Sequence, residues 1–174
     1  MNRPEEISNI IKNQIKNYKA KIEMTETGKV ILVGDPNRVP KVAAFFDTQE
    51  CEVSAREFRT ITGTYKGKRI SVVGTGIGCD NIDIVVNELD ALANIDFDTR
   101  YEKDNFRQLE MVRIGTCGGL QEYPPMGSFI CSTKSVGFDG LLNFYAGRNE
   151  VCDLPMERAL LNHLGWSGNM CEPA

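Results

Sequence analysis

Lys29-Val30-Ile31-Leu32-Val33-Gly34 is a short, nearly all-apolar run that ends in glycine. A continuous apolar run of this length is typical of a strand that is buried on both faces of an α/β sheet. Asp35 and Pro36 break the run, and residues 42–46 carry the apolar side chains expected of the following helix. This stretch therefore predicts an α/β fold whose first strand ends in a glycine turn.

Further apolar and alternating segments predict the rest of the sheet. Strands are expected at residues 51–56, 58–65, 69–74, 109–115 and 127–133. Lys66 and Gly67 supply the turn between the second and third of these segments. Residues 96–108 are polar and aperiodic, which indicates an exposed loop.

Three segments have the apolar spacing of helices. One of them, at residues 82–92, follows Gly78, with Asp80 or Asn81 as the predicted N-cap residue. Residues 5–21 place isoleucines at helical intervals, which indicates an amphipathic surface helix or a docking arm. A short helix is predicted at residues 156–164.

Length and composition exclude several classes of protein. The 174 residues, 41% hydrophobic and 25% charged, fit one globular domain over residues 1–174 and exclude a disordered chain. The net charge of −4 argues against a nucleic-acid partner. No apolar run approaches the ~20 residues that span a bilayer, and no signal sequence is recognisable, so no membrane partner and a cytoplasmic location are expected.

The cysteines and the histidine do not form a metal or catalytic motif. The six cysteines include no Cys-x-x-Cys pair, so the spacing of a zinc site is absent and reduced thiols are expected. His163 is the only histidine, and it is interpreted as a surface residue because no nucleophile motif accompanies it. Cys79 stands where a dinucleotide-binding fingerprint needs its third glycine, and no glycine loop ends in Gly-Lys-Ser or Gly-Lys-Thr.

Three glycine turns, at residues 34–38, 74–78 and 113–119, each follow an apolar strand. In sheets of parallel strands, ligands bind beyond the carboxyl ends of the strands, so the three turns are expected to line one crevice. Glycines let backbone N–H groups approach an anion closely. Arg38 and Arg113 add guanidinium groups suited to phosphate or carboxylate, so the turns predict an anion site.

Several motifs within residues 30–149 match one family in order and spacing. Gly34-Asp-Pro-Asn-Arg38 resembles a Gly-Asp-Pro-x-Arg phosphate turn, and Arg56-Glu-Phe58 resembles an Arg-Glu-Phe segment. Gly76-Ile-Gly78, Arg113-Ile-Gly-Thr-Cys-Gly118 and Gly137-Phe-Asp-Gly140 resemble the remaining signatures. Together they resemble the nucleoside phosphorylase family, and most closely its uridine phosphorylase branch.

The resemblance implies both a fold and a reaction. The fold is a three-layer α/β/α sandwich with a mixed, partly barrel-like central sheet, here incomplete at its C-terminus. The reaction is the reversible phosphorolysis of uridine to uracil and ribose 1-phosphate in nucleoside salvage. Inorganic phosphate is the co-substrate and no organic cofactor is implied. Members of the family are homodimers that often build homohexamers.

The resemblance also assigns roles to residues of this chain. The implied phosphate-binding residues are Gly34, Arg38, Arg56, Arg113, Gly115 and Thr116. Of these, the implied catalytic residues are Arg38, Arg113 and Thr116, whereas the arginine matching Arg56 reaches the phosphate of the neighbouring subunit. The implied nucleoside-binding residues are Thr116, Cys117 and Gly118. A monovalent cation such as K⁺, held at the dimer interface in some members, is implied at Glu57, Ile77 and Asn81.

Two departures from the family pattern leave alternatives open. Asn81 stands where the family usually has serine, and the residues that read the base and the ribose are expected beyond Ala174. Met156-Glu157 comes too early in the chain to be the ribose-binding pair. The alternatives are a purine nucleoside phosphorylase, a nucleosidase that uses water, and a non-catalytic phosphate-binding subunit. The three arginines argue against the nucleosidase.

Overall fold

The structure, a computed structural model, describes residues 28–166 of the chain. The chain divides into two compact units between Gly118 and Gly119, and each is described by itself. The helix predicted at residues 5–21 lies outside the described residues. The single domain over residues 1–174 stays a prediction.

The first unit is built on a mixed five-stranded sheet with the strand order β2-β3-β4-β1-β5. The strands are β1 (Lys29–Val33), β2 (Thr48–Ala55), β3 (Phe58–Tyr65), β4 (Lys68–Gly74) and β5 (Glu110–Ile114). Strands β4, β1 and β5 run parallel, whereas β2, β3 and β4 pair antiparallel. All five strands of this sheet were predicted from the sequence. The sheet is not closed, and β2 and β5 form its edges.

The register of the strands places the turns that follow β4, β1 and β5 at the same edge of the sheet, the one formed by the carboxyl ends of these strands. Val33 pairs with Gly74 on β4 and with Ile114 on β5, so these three parallel strands end side by side. Gly74 also pairs with Arg59 near the start of the antiparallel β3. The β2–β3 turn at residues 56–57 therefore lies at the same edge.

The helices of this unit within residues 28–118 are α1 (Val39–Ala43) and α2 (Cys79–Asn94). A 3-10 turn, Pro36–Arg38, leads into α1, and the Asp35 carboxylate accepts a hydrogen bond from the backbone N–H of Asn37. The helix predicted at residues 42–46 therefore begins earlier and ends at Ala43. The reason is that two prolines and the Asp35 cap start the helical backbone before the apolar residues.

The N-cap predicted for α2 is wrong. Gly78, in extended conformation, is the N-cap, and no side chain caps the helix there. Asp80 and Asn81 lie one and two residues inside the helix start, where Asp80 places a carboxylate near the positive end of the helix dipole.

Alternating side chains of the sheet pack against a helix on each face. Val30 and Leu32 share one buried cluster with Val85 and Leu89 of α2. Val33 belongs to a second buried cluster, on the other face, whose further members are Val39, Ala43, Ile61 and Val72. Helices α1 and α2 therefore cover opposite faces of the sheet, which confirms the predicted three-layer α/β/α arrangement.

The loop at residues 95–108 is held to the end of α2 by Asn94, which is 5% exposed. The backbone N–H of Arg107 donates to Asn94 Oδ1 at 2.7 Å, and Asn94 Nδ2 donates to the carbonyl of Arg107 at 3.2 Å. Lys103 Nζ donates to the carbonyls of Leu92 and Ala93, both at 3.1 Å, in the last turn of the helix. The predicted loop is present, and side chains anchor it.

Replacing Asn94 with alanine is expected to lower the free energy of unfolding by about 1–3 kcal/mol, because both backbone groups of Arg107 lose a buried partner. Urea denaturation measures the loss, and amide hydrogen exchange should accelerate within residues 95–108. Asn87→Ala is the control, because Asn87 is an exposed residue of the same helix whose side chain bonds Asp83 one turn away. An unchanged Asn94→Ala protein would show that the loop is held by other contacts.

The second unit contains short helices and extended backbone in its described part, residues 119–166. A 3-10 turn (Leu141–Phe144) precedes α3 (Arg148–Val151) and α4 (Leu154–Leu164). The helix predicted at residues 156–164 is present and begins two residues earlier, because the Asp153 side chain caps it by accepting from Met156 N. His163 is exposed in its last turn, as predicted.

The strand predicted at residues 127–133 is wrong. These residues adopt no strand, and all of them are exposed, including Phe129 and Ile130. A β-strand requires a neighbour for its backbone hydrogen bonds, and no described strand pairs with this segment. None of the helices within residues 28–166 has the length and apolar character needed to cross a membrane.

Candidate anion-binding site

The first glycine turn begins at Gly34, which is buried directly after β1. Two other parts of the edge approach it closely. A Cβ added at Gly34 would lie 3.5 Å from Arg113 Nη2 and 3.5 Å from the carbonyl oxygen of Gly76. Gly34 is therefore the point where the first, second and third turns meet.

The second turn is tied to the first through Thr75, which is fully buried. Its backbone N–H donates to the carbonyl of Val33 at 2.8 Å. Its hydroxyl oxygen Oγ1 lies 3.3 Å from the same Val33 oxygen and 3.1 Å from the carbonyl oxygen of Gly76. Gly76 itself has φ of +76°, a left-handed conformation that favours glycine.

The third turn meets the first through two arginines. Arg38 Nη2 donates to Thr116 Oγ1 in a long hydrogen bond of 3.4 Å. The guanidinium of Arg113 lies between two glycines, because its Nη1 is 2.9 Å from a Cβ added at Gly115 and its Nη2 faces Gly34. The structure thus brings together five of the six predicted phosphate-binding residues: Gly34, Arg38, Arg113, Gly115 and Thr116.

The cluster around Gly34 contains two guanidiniums, those of Arg38 and Arg113. Neither Arg38 nor Arg113 forms an ion pair with another residue of 28–166. The Glu50 and Glu110 carboxyls belong instead to the opposite ends of their strands. There the hydrogen bond from Arg69 lowers the pKa of Glu50, and the hydrogen bond from Lys29 lowers the pKa of Glu110. The two unpaired guanidiniums are suited to an anion.

Arg56 is placed at the same edge but not in the cluster. It lies in the exposed β2–β3 turn with φ of +54°, beyond the Arg59–Gly74 register pair. Within the described residues its side chain forms no hydrogen bond with Thr116, the side chain to which Arg38 donates. Its position is compatible with a side chain that serves another subunit, which stays a prediction.

The residues implied for a monovalent cation lie in the β2–β3 turn, the second glycine turn and the start of α2. Glu57 is exposed in the β2–β3 turn, and the Ile77 side chain is 87% exposed in the second glycine turn. The Asn81 side-chain amide packs directly against Gly76. The Glu57 carboxylate, the Ile77 backbone carbonyl and the Asn81 side-chain carbonyl are oxygen ligands of the type that hard cations prefer, and the cation site stays a prediction.

The residues implied for nucleoside binding follow β5 directly. Thr116, Cys117 and Gly118 are exposed, and no atom lies within 4 Å of a Cβ added at Gly118. The backbone therefore leaves open space beside the arginine cluster. Occupation of that space by a nucleoside stays a prediction.

The sequence reasoning missed Thr75. The available signal was a polar residue between two glycines, directly after the apolar pair Val72 and Val73. Residue type does not indicate that its hydroxyl faces backbone carbonyls rather than open space.

Comparison with known proteins agrees with this arrangement of turns. Residues 29–164 match the family described as the phosphorylase superfamily. The chain belongs to the phosphorylase superfamily. The match covers all five strands of the sheet and every residue of the cluster around Gly34.

Among curated members of the superfamily, uridine phosphorylase of Thermococcus kodakarensis is 36% identical over 76% of this chain and 43% of its own length. The DeoD-type purine nucleoside phosphorylase of Alkaliphilus metalliredigens is 41% identical over 58% of this chain and 37% of its own length. The chain thus spans less than half the length of these phosphorylase relatives, and both uridine and purine enzymes are among them.

A solved structure supports the same conclusion. The nucleoside phosphorylase of Trypanosoma brucei, which shows uridine phosphorylase activity, superposes with a TM-score of 0.52 and 36% identity. The superposition covers 56% of this chain and 35% of the trypanosomal one. Both the sequence relatives and this structure are nucleoside phosphorylases, which confirms the predicted family and its α/β fold.

Proposed function

We propose that the cluster around Gly34 binds inorganic phosphate. The observation that carries the proposal is the presence in adjoining turns of two guanidiniums that form no ion pair within residues 28–166: Arg113 lies beside Gly34, and Arg38 donates to Thr116. Two arginines can offset the loss of hydration of a phosphate dianion and fix its orientation. Thr116 adds a hydroxyl donor next to them.

The proposed reaction is the phosphorolysis of a nucleoside, with uridine as the substrate. A phosphate oxygen forms a bond to C1′ of the ribose, while the bond from C1′ to the base nitrogen breaks and its electron pair leaves with the base. Arg38, Arg113 and Thr116 hold the phosphate below C1′, so no protein nucleophile is needed. Fixed donors of this kind contribute through positioning and electrostatic stabilisation.

The further parts of the proposal concern the assembly. Arg56 would reach the phosphate of a neighbouring subunit from its exposed turn in a homodimer or homohexamer, and Thr116, Cys117 and Gly118 would face the nucleoside. Glu57, Ile77 and Asn81 would hold K⁺ at the interface. The position of Arg56 and Glu57 in one exposed turn at the site edge supports a contribution from this turn to a partner.

A purine nucleoside is the second candidate substrate. The observation that favours it is the similarity to DeoD-type purine nucleoside phosphorylases, one of which is 41% identical over 101 residues. Both substrates share the phosphate chemistry of the Gly34 cluster, so only the base distinguishes them.

Ultraviolet absorbance of uridine, inosine and adenosine, each incubated with the chain in the presence and absence of phosphate, tests the proposal. Phosphate-dependent loss of uridine is the expected result, and loss of inosine or adenosine alone would assign a purine substrate. Loss of nucleoside without phosphate would identify a nucleosidase. Phosphate that raises the melting temperature without any turnover would restrict the proposal to phosphate binding.

A further inference from the structure

The fully buried Thr75 hydroxyl contacts the backbone of two turns of the site. Its oxygen lies 3.3 Å from the carbonyl oxygen of Val33, which belongs to the peptide bond between Val33 and Gly34. The same hydroxyl oxygen lies 3.1 Å from the carbonyl oxygen of Gly76 in the second turn. A hydroxyl carries one proton, so Thr75 donates to these two acceptors alternately or shares the proton between them. The side chain therefore links the end of β1 to the second glycine turn.

The Gly76 carbonyl oxygen lies 3.5 Å from a Cβ added at Gly34, so it borders the place where the turns converge. A carbonyl oxygen carries partial negative charge, which opposes an anion beside it unless a donor engages it. Gly76 is buried, and Thr75 Oγ1 is the donor positioned to engage its oxygen. A buried carbonyl that loses its donor is destabilised, and its peptide reorients to find another.

From these contacts we propose that Thr75 is a positioning residue of the phosphate site. Its hydroxyl holds the Gly76 carbonyl and the Val33–Gly34 peptide in the arrangement that receives the anion, and it does not touch the anion itself. The inference rests on the proposed phosphate function of the Gly34 cluster. It adds a residue whose side chain acts only through the backbone of the two turns.

The experiment measures the dissociation constant of inorganic phosphate by isothermal titration calorimetry on the full chain. Thr75→Val keeps the shape of the side chain and removes the hydroxyl, and it is expected to raise the Kd about tenfold, the effect of losing one buried hydrogen bond. Thr75→Ser restores the hydroxyl and is expected to bind phosphate within about twofold of the unaltered chain. A structural role alone would not produce this rescue of affinity.

Thr62→Val is the matched control. The Thr62 hydroxyl is equally buried in the same sheet, where it shares a 2.8 Å hydrogen bond with Ser71 between the middles of β3 and β4. The substitution makes the same chemical change away from the turns. It is expected to lower the melting temperature and to leave the phosphate Kd unchanged.

The outcomes separate this inference from the proposed function. Unchanged phosphate affinity in Thr75→Val, or equal weakening in Thr62→Val, would overturn the positioning role while leaving the phosphate site intact. Failure of Thr75→Ser to bind would also overturn it, because the hydroxyl would then not be the group that matters. An unaltered chain that does not bind phosphate would overturn the site, and the role of Thr75 with it.

Discussion

Arg113→Ala is expected to abolish the protection that phosphate gives against thermal unfolding. Arg113 supplies the guanidinium that lies between Gly34 and Gly115, where the first and third turns meet. A ligand that binds only the folded chain stabilises it by about 2.7 kcal/mol at a concentration 100 times its Kd, so the loss is readily measured as a change in melting temperature. Calorimetric scans with and without phosphate make the comparison.

Arg69→Ala is the control for Arg113→Ala. Arg69 is an arginine of β4 at the opposite end of the sheet, where it pairs with Glu50. Its removal changes the net charge of the chain equally, and phosphate protection is expected to persist. If Arg113→Ala retained full protection, phosphate would have to bind elsewhere. Equal losses in both variants would point to overall charge rather than a defined site.

Gly63→Ala is expected to lower the free energy of unfolding by roughly 3 kcal/mol, the upper part of the range for an overpacked interior. A Cβ at this position in β3 would lie 2.9 Å from Phe46 Cδ2 and would collide with the backbone carbonyl of Thr48. The carbonyl belongs to β2 beside an irregularity in register between Gln49 and Cys51, so the strand itself must move. Urea denaturation measures the loss.

Gly118→Ala is the control for Gly63→Ala. No atom lies within 4 Å of a Cβ added at Gly118, and its backbone is outside the left-handed region. A change within about 0.5 kcal/mol is expected, as for an ordinary exposed position. A Gly63→Ala protein as stable as the parent would show that β2 can move away from β3 without loss of pairing.

The sequence alone predicted the elements whose signals are local. Residues 30–33 of β1 are all apolar because both faces of the strand are covered, and the glycine after it marks the turn. Lys66 and Gly67 have φ of +50° and +71°, the left-handed pair that a tight hairpin requires, as their sequence indicated. The motif order at Gly34, Arg38, Arg113 and Thr116 was sufficient to identify the family.

The errors arise where strand pairing or the backbone conformation of a turn, rather than residue type, decides the structure. Residues 127–133 have the composition of a strand, but a strand forms only where another strand completes its hydrogen bonds. Asp80 and Asn81 have the side chains of N-caps, yet the extended backbone of Gly78 takes that position because the glycine turn fixes where α2 starts. Neither outcome can be obtained from residue type alone.

The amino-acid sequence by itself determined which segments form the strands of the sheet, which arginines are candidate anion ligands and to which superfamily the chain belongs. The spacing of apolar residues, the turn glycines and the charged side chains are local features that can be recognised without the tertiary structure. The sequence predicted that the turns after β4, β1 and β5 line one crevice, and only the tertiary structure decided that Arg38 contacts Thr116 there and Arg113 contacts Gly34. It also decided that Thr75 is buried between two of the turns. These contacts join residues more than 40 positions apart in the chain. They depend on the register of the strands, which is a property of paired backbones and not of a single segment.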